Sequence, residues 1–393
     1  MISFDLKRIN KFLLDKQHLT NNSKIEDIVQ ITDDLCGLHS TNLTTSYLSL
    51  FARSNTFKKI DLEKELYINK NLGRIRGMRR TLFIESRKMI PIIHAATYNL
   101  INKSFEKYME VRGISLKHYQ ETSTQILDIL KGKELSAAEI RKELISNLDV
   151  PGIIQVMNNN RLLIRARPIK DWKDKRNKYA LFHDYFPDVN VQEFDEQQAI
   201  KLLVQKYIKA YGPVSENDIS WWSGLTKTKI RVALKALNPH LERIRISELK
   251  GVYFLFKEDI DSLEIRDNNQ EMIITILPEL DPYPMGYKER DRYIDSNFKK
   301  YVFDNSGNIS ATILIDGRVI GVWDTEEKPE SIVKLHLFRS IEENSYKELY
   351  SKAQKVGKFI FEKEIKIEEC ESMTPLTERT AGGFMTPLRN VNN

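Results

Sequence analysis

Apolar residues recur at three- and four-residue spacing in FDLKRINKFLLDK (4–16) and IEDIVQITDDLC (25–36), which predicts two amphipathic helices, the second capped by Ser23. The stretch that follows, LCGLHSTNLTTSYLSLFA from Leu35 to Ala52, interrupts that rhythm. His39, Ser40, Thr41 and Asn42 stand between two apolar segments, so an imidazole, two hydroxyls and an amide collect at one bend, a pattern that suits a pocket floor. A helix resumes in SYLSLFAR, and Asp61 caps another that reaches about Asn69. From Gly73 to Glu85 the spacing changes to alternation, with Ile75, Met78 and Leu82 among arginines, which predicts a strand pair.

This order of elements recurs. Residues 120–131 and 134–144 predict two helices, the second capped by Ser136, and a helix near 150–158 leads to a hairpin from Arg161 to Leu181 that breaks at Pro168 and KDWKDKRNK. A third copy begins near Phe194. Its helix, Glu196 to Tyr211, stops at Gly212-Pro213; Ser215 caps a short helix, Gly224 makes a turn, Thr226 starts a basic helix, and alternation over 241–257 supplies a hairpin. Helices followed by a basic hairpin are the grammar of a winged helix, in which one helix sits on a duplex and the wing reaches its phosphates. After Ile273 the pattern changes to a strand, a proline-punctuated loop, a hairpin turning at Asp316-Gly317, a strand near 332–339 and a long helix over 342–363. The tail from Glu368 is polar, with two prolines and Gly382-Gly383, and is expected to be extended or partly disordered. The expected fold is α+β: three tandem winged-helix modules (1–115, 116–190, 191–260) followed by a β-rich C-terminal domain (261–393).

Composition narrows the function. With 41% hydrophobic and 30% charged residues the chain reads as soluble, and no apolar run approaches the roughly 20 residues of a membrane helix. The start, MISFDLKRINKF, has neither the apolar segment nor the cleavage site of a secretory signal, so the cytoplasm is the expected compartment, and two cysteines, Cys36 and Cys370, form no framework. Net charge is +6, and the basic residues gather in three stripes at 73–83, 161–180 and 227–235, which favours nucleic acid over merely solvated faces. The candidate contacts are Arg76, Arg79 and Arg80; Arg167, Trp172 and Lys173; Lys227, Lys229 and Arg231; and, further on, Arg290 and Arg318. Trp172 among lysines either stacks on a base or folds back onto its module. The seven histidines show no metal-hydrolase spacing, and there is no phosphate-binding glycine loop, so neither metal nor other cofactor is expected.

The bend at 35–52 resembles the N-terminal motif of the AlkZ/YcaQ family of bacterial DNA glycosylases, tandem winged-helix proteins that excise alkylated bases and unhook interstrand crosslinks. In that family the turn after Gly-Leu or Gly-Ile usually reads Gln, a small or apolar residue, then Gln or Asp; here it reads His39, Ser40, Thr41. RGMRRTLFI resembles the family's MRGTLHLV, with Arg80 where glycine is usual and Phe83 where histidine is usual. KAYGPVSENDISWWSGL is similar to YGPATxxDxAxWxGL, ILPELDPYPMGYKERDR to LPxxDPxxxGYRDR, and ILIDGRVIGVW to VLVDGRVVGTW. These matches run in order from 35 to 323, while the departures fall on the catalytic positions.

The resemblance implies hydrolysis of the N-glycosidic bond of an N7- or N3-alkylated purine in double-stranded DNA, by a monomer. The base is already cationic, so the protein has to stabilise an oxocarbenium-like sugar and present a water. His39 and Thr41 are the candidate catalytic pair: an imidazole to accept from the water and a hydroxyl to orient it, on side chains two residues apart that an extended turn would point the same way. A helix C-terminus before His39 would favour imidazolium, so its role turns on its local pKa. The plainer readings are a histidine satisfied by a backbone carbonyl and, for Thr41 or Asn42, a helix cap. Asn42, Asp281 and Tyr283 are expected to line the channel or hold the turn, though Asp281 equally suits capping of local amides. The alternative to an enzyme is a winged-helix DNA-binding regulator that has lost the catalytic pair.

Overall fold

The computed structural model describes residues 1–144, 149–265, 272–371 and 374–378; the expected tail beyond these lies outside the described residues. Side-chain caps fix where most helices begin. Asp5 accepts from the Arg8 amide to start Leu6–Lys16, Asp27 starts Ile28–Asp34, Asn42 starts Leu43–Arg53, and Ser136 and Glu139 close a capping box on Ala137–Glu143. Two expected caps are corrected. Ser23 instead bonds Thr20, leaving Asp27 as the cap, and Asp61 sits one turn inside Lys59–Tyr67, accepting from the Lys58 amide. The longest helix, Met89–Val111, has no counterpart in the sequence pattern, because its apolar first half and polar second half leave no single continuous stripe.

Among the described residues, three sheets organise these helices. The largest has six strands in the spatial order Leu38–His39, Leu82–Ser86, Leu72–Arg76, Leu163–Pro168, Asn177–Leu181 and Leu135–Ser136, all paired antiparallel. Both expected basic hairpins are therefore present, and they join edge to edge through Arg74 opposite Arg165. The third hairpin, Leu241–Ile246 with Tyr253–Phe256, gains a third strand from the chain's start, Ser3–Phe4, which runs parallel to Leu241–Ile246. The last sheet orders Ile274–Leu277, Thr312–Ile315, Arg318–Glu326, Ile332–Leu337 and Lys366–Glu369; only the final pair is parallel, because helix Glu343–Phe361 carries the chain back along the sheet.

The fold is thus mixed α+β. One apolar core runs from Phe4 to Ile360, and a smaller one gathers Ile114, Ile126, Ile140, Ile153 and Met157 among the helices before the second hairpin. Helix–turn–helix geometry is plain at Glu216–Ser223 and Lys227–Leu237, joined through Gly224 in a left-handed conformation. No helix among the described residues is long and apolar enough to cross a membrane.

Candidate functional site

The bend between Ile28–Asp34 and Leu43–Arg53 is a short strand followed by a cap. Gly37, at φ +95°, reverses the chain; a side chain there would collide with the Glu85 carboxyl, which explains the glycine before Leu38. Leu38 and His39 then pair with Ile84 and Phe83, and the Ser40 amide donates to the Leu82 carbonyl at 2.9 Å. The bend is fixed from several sides. Ser46 Oγ donates to the His39 carbonyl (2.6 Å), the buried Arg74 donates to the Ser40 carbonyl (2.9 Å) and to Asn177 in the second hairpin, and Asn42 Nδ2 donates to Glu279 (3.2 Å). Helix, both hairpins and the C-terminal sheet region all contribute.

His39 is buried, with 4% of its surface exposed, and its ring lies 4.5 Å from that of Phe83. Nδ1 is enclosed without a hydrogen-bond partner. Burial, and secondarily the nearby Arg79 charge, push its pKa down to about 3, so the imidazole is neutral at physiological pH. The imidazolium that a helix terminus would favour does not form, because burial and the Arg79 charge outweigh it, and a strand holds the residue. Thr41 is exposed. The alternation that would align the two side chains ends with the strand at His39, and Asn42, half-buried, takes the cap that Thr41 also suits.

The first two basic stripes and the helix–turn–helix at Glu216–Leu237 meet around the turn Met78–Arg80. Arg79 and Arg80 adopt left-handed φ values of +49° and +61°, the conformation for which glycine is the cheap choice, which accounts for the glycine that the related motif carries at Arg80's place. The Arg79 guanidinium lies over the Trp221 ring at 4.1 Å, and the Gly224 turn packs directly on the Arg79 backbone, so the helix–turn–helix docks on the turn of the first hairpin. Arg161 donates to the Arg76 carbonyl at 2.7 Å, and Arg290 stands close enough to Arg79 to help depress its pKa, after burial, to about 10. Arg80, Arg167, Lys173, Lys227 and Arg231 are exposed; Arg76, Arg79, Lys229, Arg290 and Arg318 are half-buried. Lys229 pairs with Glu196 (2.7 Å) and Arg231 with Glu216 (2.9 Å).

Other singled-out residues lie inward. Trp172 folds back, its ring 5.1 Å from Tyr47 and 5.9 Å from Phe359, because the apolar wall between helices Leu43–Arg53 and Glu343–Phe361 offers it more contact than water does. Asp281 is fully buried and paired bidentately with Arg53 at 2.7 and 2.8 Å, and it caps the turn at Tyr283. The Tyr283 hydroxyl donates to the Gly317 carbonyl, tying the proline-rich loop to the hairpin. Arg74 and Glu279, which hold the bend, carry no signal in the sequence: Arg74 reads as one more cation of a stripe, and Glu279 as one more carboxylate beside Asp281. No group of three or more metal-type ligands is brought together among the described residues.

Comparisons with known proteins agree with this architecture. The chain matches the solved structure of the Streptomyces sahachiroi DNA glycosylase AlkZ with a TM-score of 0.76, at 16% identity, over 94% of this chain and 100% of that one. No curated protein matches the sequence. The family model described as DNA glycosylase AlkZ-like matches residues 32–359, from just before the bend to the end of the last long helix, and the chain belongs to that family of DNA glycosylases.

Proposed function

We propose that the protein hydrolyses the N-glycosidic bond of N-alkylated purines, N7 and N3 adducts and interstrand crosslinks among them, in duplex DNA, as a monomer in the bacterial cytoplasm. In this reading residues 1–115, 116–190 and 191–260 act as three winged-helix modules and 261–393 as the β-rich domain that backs them. Arg76, Arg79, Arg80, Arg167, Lys173, Lys227, Lys229, Arg231, Arg290 and Arg318 meet the phosphates, with Trp172 bracing its loop from behind.

The observation that carries the reading is the imidazole that burial keeps neutral on the bend, which resembles the family's catalytic motif in frame while carrying His39 and Thr41 where that motif has other residues. A neutral ring accepts a hydrogen bond from water, and the exposed Thr41 hydroxyl gives that water a second partner. With a conjugate-acid pKa of about 3, His39 is a poor proton acceptor and acts by orientation. That suffices for this leaving group, since a cationic alkylpurine departs without acid help and the oxocarbenium-like sugar is captured by a weak nucleophile. Phe83, where the related motif has histidine, is the cross-strand partner of His39, so this chain carries its imidazole one strand over. Asn42, Asp281 and Tyr283 hold the bend and the loop behind it in place.

Duplex DNA containing N7-methylguanine is expected to release free base with the wild type, with losses of about 100-fold in His39→Ala and Thr41→Ala if each removes an interaction to the water. The depth of His39 favours one second reading, a DNA-binding regulator. Tight DNA binding without base release from any alkylpurine substrate establishes that reading instead.

A further inference from the structure

Glu279 lies in the Pro278–Asp281 segment between strand Ile274–Leu277 and the loop capped by Asp281, and only 7% of it is exposed. Its Oε1 accepts from Asn42 Nδ2 at 3.2 Å and from Thr45 Oγ1 at 3.4 Å, the cap and the first turn of the helix that begins where the bend ends. It also lines a cavity of about 320 Å³ together with Trp172, Lys173, Lys175 and Asp324. A carboxyl reaching from the C-terminal part of the chain thus grips the residue after Thr41 and faces space that solvent can enter.

We propose that Glu279 is a positioning residue of the site, setting the Thr41–Asn42 turn through its bond from the Asn42 amide. The inference rests on the glycosylase reading for its catalytic consequence and on the hydrogen bonds alone for its structural one. An ionised carboxylate accepts from an amide more strongly than a neutral carboxyl does. The ionisation falls in a useful range: burial raises the Glu279 pKa to about 7, with Asp324 adding to the rise and the bonds from Asn42 and Thr45, together with Lys175, opposing it. The other charged groups lining the cavity are Lys173, from the same loop as Lys175, and Glu327, just past the strand that bears Asp324; helix Leu43–Arg53 presents only Thr44, Thr45 and Leu48, and helix Glu343–Phe361 only Ile360 and Phe361. The turn is therefore held firmly above neutral pH and loosely below it.

The test uses the full chain. The side-chain amide signals of Asn42 in the nuclear magnetic resonance spectrum should titrate with a midpoint near 7 in the wild type and stay flat in Glu279→Gln. Base release should rise with pH through the same midpoint, and Glu279→Gln should lose about 10- to 100-fold above it, the kinetic equivalent of one hydrogen bond to a charged group, with a flat profile. Glu279→Asp should restore part of the pH dependence. If Glu279→Gln does not fold, Asn42→Ala, which cuts the link from the other side, must flatten the profile in its place. An Asn42 signal that does not titrate in the wild type, or titrates alike in Glu279→Gln, overturns the inference whatever the activity. A wild type whose Asn42 signal titrates but which frees no base from any alkylpurine duplex overturns the glycosylase reading and leaves the positioning contact standing.

Discussion

His39 carries a conjugate-acid pKa of about 3 where a free histidine has 6.5, so between those values the unfolded chain binds a proton that the folded chain refuses. Its contribution to stability is fully present above 6.5 and is lost as the pH falls toward 3, an effect on the order of a few kcal/mol. Urea unfolding at pH 4 and pH 7 should show a gap between the two that shrinks in His39→Gln; an unchanged gap would mean that other groups dominate acid sensitivity. At this scale the sequence reveals unevenly. The imidazole and hydroxyl are visible because they interrupt an apolar pattern. The partners of the bend are not: Arg74 and Glu279 are ordinary charged letters whose burial is created by strands and loops more than 30 positions away, and Trp172 looks exposed amid lysines until helix Glu343–Phe361 supplies the wall it packs on.

Elements lock the site through two contacts. Arg53 and Asp281, both without solvent exposure, share two hydrogen bonds, and Arg53 also donates to the Gln17 and Ser49 carbonyls. Asp281→Ala leaves a guanidinium buried without its counter-ion, and denaturation should report a loss of about 3–5 kcal/mol. The second contact is the Gly224 turn against Arg79. A methyl group at Gly224 would come within 3.2 Å of the Arg79 backbone from a φ of +76°, so Gly224→Ala should cost at least about 1 kcal/mol and weaken DNA binding together with stability. If Gly224→Ala were as stable as the wild type, the docking of the helix–turn–helix on the first hairpin would not be tight. Helix–turn–helix, hairpins and caps such as Ser136, Ser215 and Thr226 were all legible, since each is written in residues next to one another. Helix Met89–Val111 was not, because its buried face follows neighbours on several sides instead of a stripe.

Across the whole molecule, charge and cohesion make separate predictions. DNA affinity should fall linearly on a logarithmic salt scale, and Arg167→Ala or Lys227→Ala, each removing one exposed cation, should lower the slope by about 1. A slope unaffected by either substitution would take those two residues off the DNA. The helices Leu116–Ile129 and Ala137–Glu143 rely on the smaller apolar core, so their amides should exchange with solvent sooner than those of Leu43–Arg53, which sits in the larger one. How the pieces join, with two hairpins fused into one sheet, has no sequence signature, because a bridge between Arg74 and Arg165 and the bonds of Arg74 to Asn177 and of Arg161 to the Arg76 carbonyl set it between residues far apart in the chain.

Strand Ser3–Phe4 finds its mate only at Arg245 and Ile246. During synthesis Ser3–Phe4 is therefore made long before its partner strand, and at about 5–20 residues per second the wait lasts roughly 10 to 50 seconds. The third hairpin, when it arrives, is completed by a strand lying far upstream in the chain, so that two distant stretches are joined in one event.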